Sequence, residues 1–171
     1  GLKVNATKSK VARPNDIKYL GFGFYTTKTG IVKPKPHLKS IRKFERKLKQ
    51  LTKRNLSISL EDRIIKLNQV IRGWVNYFKI ADMKGRMSKI TSHLNRRVRC
   101  IIWKQWKVPK KRIWALRKLG AGIEQAKAIT FSRKSYWNSS LYISLYITND
   151  KLRQKGLVFP LDHYLKVHTA I

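Results

Sequence analysis

The amino-acid sequence predicts a mainly α-helical fold, a three-helix bundle preceded by a short β segment and followed by a small basic helical region. Three observations predict it. Apolar residues recur at the helical period of about 3.6 through three long stretches between residues 34 and 106. Before Pro34 and Pro36 they alternate at the strand period. After Pro109 the helical pattern returns in shorter runs that glycines end.

The β segment comes first. Leu2 and Val4 precede a polar break from Asn5 to Lys10, and Tyr19-Leu20-Gly21-Phe22-Gly23-Phe24-Tyr25 follows, with Gly30 as a turn. Two or three short strands do not fold alone, so this segment is expected to complete a sheet contributed by other residues. The chain begins at a glycine in the middle of this pattern and so reads as a piece of a longer protein.

Each long helix has its own signature. In the first, Ile41, Phe44, Leu48 and Leu51 share one face. Its other faces carry Arg42, Lys43, Arg46, Lys47, Lys49 and Lys53, opposed only by Glu45. Like charges at i, i+4 destabilise a helix unless an anion lies against them, which points to a phosphate-facing surface. The second helix runs from about Leu60 to Asp82. Ser59 and Asp62 resemble a capping box, and Glu61 suits the positive helix end. Ile64, Leu67, Ile71, Trp74 and Phe78 make one apolar stripe, and Val70, Gly73 and Tyr77 make a second, so two neighbours are expected. Gly73 costs about 1 kcal/mol against Ala inside a helix, and a backbone or ring is therefore expected close to it. The third helix, from about Lys84 to Trp106, has the stripe Met87, Ile90, Leu94, Val98, Ile101 and Ile102.

Beyond Pro109, Lys110, Lys111 and Arg112 lead into Ile113, Trp114, Leu116 and Leu119, and Gly120 with Gly122 ends that helix. A helical stretch is expected from about Ser139 to Gly156, with Trp137, Leu141 and Leu145 in the core. Stacking of bases on Tyr136 or Trp137 is the alternative use of those rings. Asp162, after Pro160, is expected to cap a last short helix through Tyr164 and Leu165.

Charge narrows the function. Among 171 residues, forty Lys and Arg face eight Asp and Glu, a net +32, while 42% hydrophobic residues and five tryptophans require a folded core. Such charge is self-repulsive in a compact state, and a polyanion relieves it, nucleic acid first. A membrane surface fits worse, because the sequence has no long uncharged apolar run. From Met83 to Ile123 there are thirteen Lys and Arg and no acid. The candidate phosphate contacts are Lys39, Arg42, Lys43, Arg46 and Lys47 on the first helix, with Arg96, Arg97, Arg99, Lys104, Lys107, Lys110, Lys111 and Arg112 in the acid-free zone. Cys100 lies among apolar residues and reads as buried rather than nucleophilic. The four histidines show no ligand spacing, so neither a metal site nor a catalytic residue is assigned.

The order of motifs resembles the C-terminal part of a group II intron reverse transcriptase, or maturase. Leu2 to Ser9 is similar to the sixth reverse transcriptase block, Tyr19-Leu20-Gly21-Phe22 to the seventh, and Gly73-Trp74 with Tyr77-Phe78 to the maturase-specific thumb, or X, domain. The resemblance implies three domains: residues 1–33 as the end of the palm, 34–106 as the helical thumb, and 107–171 as a basic nucleic-acid-binding domain of the DNA-binding type. It places Asn5 and Lys8 near a polymerase site and Tyr19, Leu20, Gly21 and Phe22 near the primer end. It implies as partners intron RNA, a DNA target, a primer–template duplex and a finger–palm part that this sequence lacks. It also implies a bacterial cytoplasmic ribonucleoprotein as the setting. The tyrosine-x-aspartate-aspartate block is absent, so this chain cannot polymerise alone, and Mg²⁺ is expected only in the complete enzyme. The competing reading from composition is a structural RNA-binding protein of a ribonucleoprotein, ribosomal in type.

Overall fold

The computed structural model describes residues 12–169. Asn5, Lys8 and the strand expected around Leu2 and Val4 lie outside them. The described β structure is one antiparallel hairpin, β1 (Phe22–Thr26) and β2 (Val32–Pro36), with Phe22 opposite Pro36 and Thr26 opposite Val32. Among the described residues no other strand joins it. Within this chain the hairpin is supported by the helices. The Phe22 ring lies 4.8 Å from that of Phe78, and the Tyr25 hydroxyl donates to the Asp82 carboxylate at 2.6 Å. Such packing is what a two-stranded ribbon, marginal by itself in water, needs.

Three long helices follow: α1 (Leu38–Leu51), α2 (Leu60–Tyr77) and α3 (Lys84–Gln105). Five shorter ones complete the described chain: α4 (Pro109–Lys118), α5 (Ile123–Phe131), α6 (Tyr136–Tyr142), α7 (Asn149–Gln154) and α8 (Pro160–Val167). The fold is mainly α, as its periodicity indicated. Ser59 caps α2, its Oγ accepting from the Asp62 amide at 2.9 Å and donating to the Asp62 carboxylate at 2.7 Å. That helix stops at Tyr77 rather than Asp82, because the chain turns so that the Asp82 amide reaches the Pro34 carbonyl of the hairpin.

The α1 face of Ile41, Phe44 and Leu48 is buried, as are Ile64, Leu67, Ile71 and Phe78 of α2. Burial of each such side chain is worth about 1.5–3 kcal/mol. Val75 joins that stripe, while Trp74 is half-buried and stacks on Phe44 with centroids 4.4 Å apart. Gly73 departs from expectation. It faces outward, and a Cβ there would meet nothing within 4 Å. The second stripe is therefore weak, with Val70 half-buried and Tyr77 exposed.

Every residue of the predicted α3 stripe is buried, and from Val98 to Trp103 the helix is buried all round. A helix enclosed in this way is a central one. Its neighbours include α6 and α8, and one continuous core runs from Ile41 to Tyr164. Thr91, Asn95 and Arg99 form a buried polar stripe at successive i, i+4 positions of α3. Thr91 Oγ1 accepts from the Leu161 amide at 3.0 Å, and Asn95 Nδ2 donates to Asn149 Oδ1 at 3.1 Å. Arg99 donates to the Ile147 carbonyl and to Asn149 Oδ1, both at 2.7 Å. This stripe fixes the register of the C-terminal segment on α3.

That segment differs from its sequence reading in three places. Helix α5 was not anticipated. The expected helix from Ser139 to Gly156 is broken into α6, a 3₁₀ turn at Ile143–Leu145 and α7, which Gly156 ends at φ +87°. The break turns Ile143 and Ile147 inward and leaves Trp137, Leu141 and Leu145 facing out, Leu145 at 72% exposure. Finally, Asp162 does not cap α8. Phe159 holds the cap position, and the Asp162 carboxylate accepts from Arg153 Nε at 2.8 Å.

Candidate nucleic-acid interface

With one face of α1 in the core, Lys39, Arg42, Lys43, Arg46 and Lys47 are all exposed. All but Lys39 line one or both of two grooves, Arg46 bordering both. Arg42, Arg46 and Lys49 lean toward α3, where with Lys89, His93 and Arg97 they line a cavity of about 530 Å³. Arg97 also lines a neighbouring cavity of about 620 Å³, together with Lys53, Arg54, Lys104 and Tyr136. The two make one basic trough along the α1–α3 seam. Glu45, the acid on its wall, lies 4.0 Å from Arg86. On the other flank of α1, Lys43 and Lys47 border a groove of about 710 Å³ floored by Trp74, Tyr77 and Phe78.

The arginine cluster of α3 is divided by the structure. Arg99, 8% exposed and bonded as above, is a correction to the expected surface: its guanidinium is spent inside the protein. Arg97 donates to Thr52 Oγ1 at 2.6 Å and to the carbonyls of Lys49 and Thr52 at 3.1 and 3.2 Å. It thereby closes the C-terminus of α1, where a cation meets the negative helix end. Arg96 lies over the Trp137 ring at 3.8 Å and donates to that residue's carbonyl at 2.8 Å. Arg112 sits over Trp103 at 4.5 Å and donates to the Trp106 carbonyl at 2.8 Å. Of the later candidates, Lys104 stands in the trough, whereas Lys107, Lys110 and Lys111 are exposed outside it. Lys110 lines a separate cavity of about 590 Å³ with Trp114 and Arg117.

Arg63 escaped the sequence reading. It is buried, donating to the carbonyls of Leu51, Lys53 and Leu56, and burial pushes its pKa down. The signal available was its place one residue before Ile64 on an apolar stripe, but that signal does not name the carbonyls. No described ion pair involves Arg63, Arg96, Arg97, Arg99 or Arg112. Their order comes from carbonyl oxygens and rings.

The aromatic faces near the trough are already in use. Arg54 lies over Tyr136 at 4.7 Å and Arg112 at 5.9 Å, and His93 stands 5.4 Å from Trp137. Partial burial first, then the charge of Arg97, lowers the His93 pKa. Burial raises the Cys100 pKa, and its thiol donates to the Tyr136 carbonyl, as suits an inert core residue.

Tyr19, Leu20, Gly21 and Phe22 form a tight turn closed by a Tyr19–Phe22 bridge, with φ of +46° at Leu20 and +86° at Gly21. The turn is docked on the helices. Tyr77 donates its hydroxyl proton to the Leu20 carbonyl, while Ser40 Oγ and the His37 amide donate to that of Gly21. Among the described residues no group of three or more His, Cys, Asp or Glu gathers. No described helix is long and apolar enough to cross a membrane.

No curated protein matches the chain as a relative. The model of the group II intron maturase-specific domain matches residues 41–120, which takes in most of α1, all of α2 and α3, and α4 to its terminal glycine. The matched span contains both walls of the trough, the Trp74–Phe78 cluster and all five carbonyl-bound arginines. Over these residues the chain is similar to the group II intron maturase-specific domain, which is consistent with the C-terminal part of a group II intron maturase.

Proposed function

We propose that the chain binds structured group II intron RNA in the trough between α1 and α3, and so stabilises the folded intron during splicing. The observation that carries this reading is the trough itself: Arg42, Arg46, Lys49, Lys89, Arg97 and Lys104 along one seam, with Glu45 as the acid on its wall. Phosphates seated there release counterions, so log K falls by about 0.7 to 0.9 per phosphate for each decade of salt. Arg97 ties α3 to the end of α1, so the two walls hold their spacing before RNA arrives. Preformed walls favour recognition by shape, the mode that suits folded RNA. Joined to a finger–palm part, the same helices would grip a template–primer duplex during reverse transcription and retrohoming. Lys43 and Lys47, beside the docked Tyr19–Phe22 turn, would stand nearest to it. Polymerase chemistry belongs to that other part.

The test is binding of this chain to a folded group II intron RNA and to an unrelated structured RNA of equal length, across several salt concentrations. A preference of tenfold or more, about 1.4 kcal/mol, that survives added salt is expected. Equal affinities that decay in parallel would overturn intron recognition.

A further inference from the structure

On a part of the surface that shares no lining residue with the trough, a groove of about 820 Å³ opens between the start of α2, the end of α3, α4 and α7. Leu60, Ile102, Trp106, Leu119 and Ile147 make its floor. Trp114 makes one wall and is 60% exposed, a large apolar surface left in water. Lys118, Lys151 and Lys155 stand on the rim, and none of them forms a described ion pair. Lys118 lies over the Trp114 ring at 5.2 Å.

The geometry points to a docking site for an acidic amphipathic polypeptide segment, one that lays leucine or aromatic anchors on the apolar floor and its carboxylates against the three lysines. Charge selects the occupant. A second copy of a chain with net +32 would be repelled. A nucleic acid would satisfy the lysines, but its phosphates would leave the floor of aliphatic and indole side chains uncovered. An acidic helix matches both layers, as in the helix-in-groove mode of recognition. The volume is within the range of well-formed binding clefts, about 300–1,000 Å³. Because the site is separate from the trough, this inference stands or falls independently of RNA binding.

A synthetic 16-residue acidic peptide with leucines at i, i+4, i+7 and i+11 is the probe, and tryptophan fluorescence and calorimetry are the readouts. Saturable binding is expected, weakened about tenfold by Trp114→Ala and by Lys151→Glu with Lys155→Glu, all at exposed or half-exposed positions. RNA affinity of those variants should be unchanged. Equal binding of a scrambled peptide with the same composition would mean simple charge attraction and overturn the proposal. Displacement of the peptide by oligouridylate of equal length, or parallel loss of RNA binding in the variants, would assign the groove to nucleic acid and overturn it too.

Discussion

The Tyr77 hydroxyl donates to the Leu20 carbonyl at 2.8 Å, across fifty-seven residues of sequence. Through this bond and the Phe22–Tyr77–Phe78 ring cluster, the turn at the head of the hairpin is held to the end of α2. Removing the hydroxyl in Tyr77→Phe should cost about 0.5–1.5 kcal/mol. Gly21→Ala should cost more, because φ is +86° there and a Cβ would lie 3.1 Å from Ser40 Oγ and 3.3 Å from Phe78 Cζ. Urea titration of both variants checks the order, and equal stability of Gly21→Ala and wild type would contradict the docking.

Trp74 joins the Phe44 ring to that cluster, stacking at 4.4 Å on one side and lying 4.5 Å from Phe78 on the other. Trp74→Ala should destabilise by about 3 kcal/mol. At this chain length the melting temperature should fall by about 6–12 °C, and native-like melting would refute the packing.

The divided fate of the α3 cations makes a paired test. Arg99→Glu places a carboxylate against the Ile147 carbonyl in the interior, and should unfold the C-terminal segment by circular dichroism and melting. Lys49→Glu, Lys89→Glu and Lys104→Glu together change only exposed trough residues. They should leave the melting temperature within a few degrees while RNA affinity drops at least tenfold and its salt dependence flattens.

His93 supplies a pH test. Its folded-state pKa lies below the usual value near 6.5 through burial and neighbouring cations. The unfolded chain therefore takes up this proton before the folded one, and the residue's contribution to stability, full above 6.5, is lost as pH falls below it. A phosphate in the trough counters the neighbouring cations and so acts to raise that pKa. RNA affinity should then rise between pH 7 and pH 6 with proton uptake on binding, and His93→Gln should remove the uptake; calorimetry in buffers of different ionisation enthalpy measures it.

Arg63→Lys should lose about 3 kcal/mol, since an ammonium group cannot span the carbonyls of Leu51, Lys53 and Leu56 as the guanidinium fork does. Retention of the wild-type urea midpoint would show that those bonds contribute little.

Much of the helical frame was legible because its signals are local. Ser59 caps α2, the stripe from Met87 to Ile102 is buried as its spacing requires, and Pro109 opens α4. What was illegible depends on distant partners. Nothing near Arg99 in sequence announces that Ile147 and Asn149 will bring it acceptors, so it read as one more surface charge. Trp137, Leu141 and Leu145 share a helical face, but the 3₁₀ turn at Ile143 shifts the phase and sends the isoleucines inward instead. Gly73 was read through its propensity cost, yet the structure supplies no close neighbour to account for it. In the trough, the α1 cations were found from crowding alone. Lys89 and Arg54 were missed because the seam that recruits them exists only after α1 and α3 meet.

Carbonyl oxygens do not titrate in the range where proteins live, and short, partly buried bonds to them are poorly reached by dissolved ions. The arginine girders of this molecule should therefore hold in concentrated salt that strips a polyanion from the lysines outside. If RNA occupies the trough as proposed, brine should take the complex apart and dialysis should reassemble it, with the protein keeping its shape throughout.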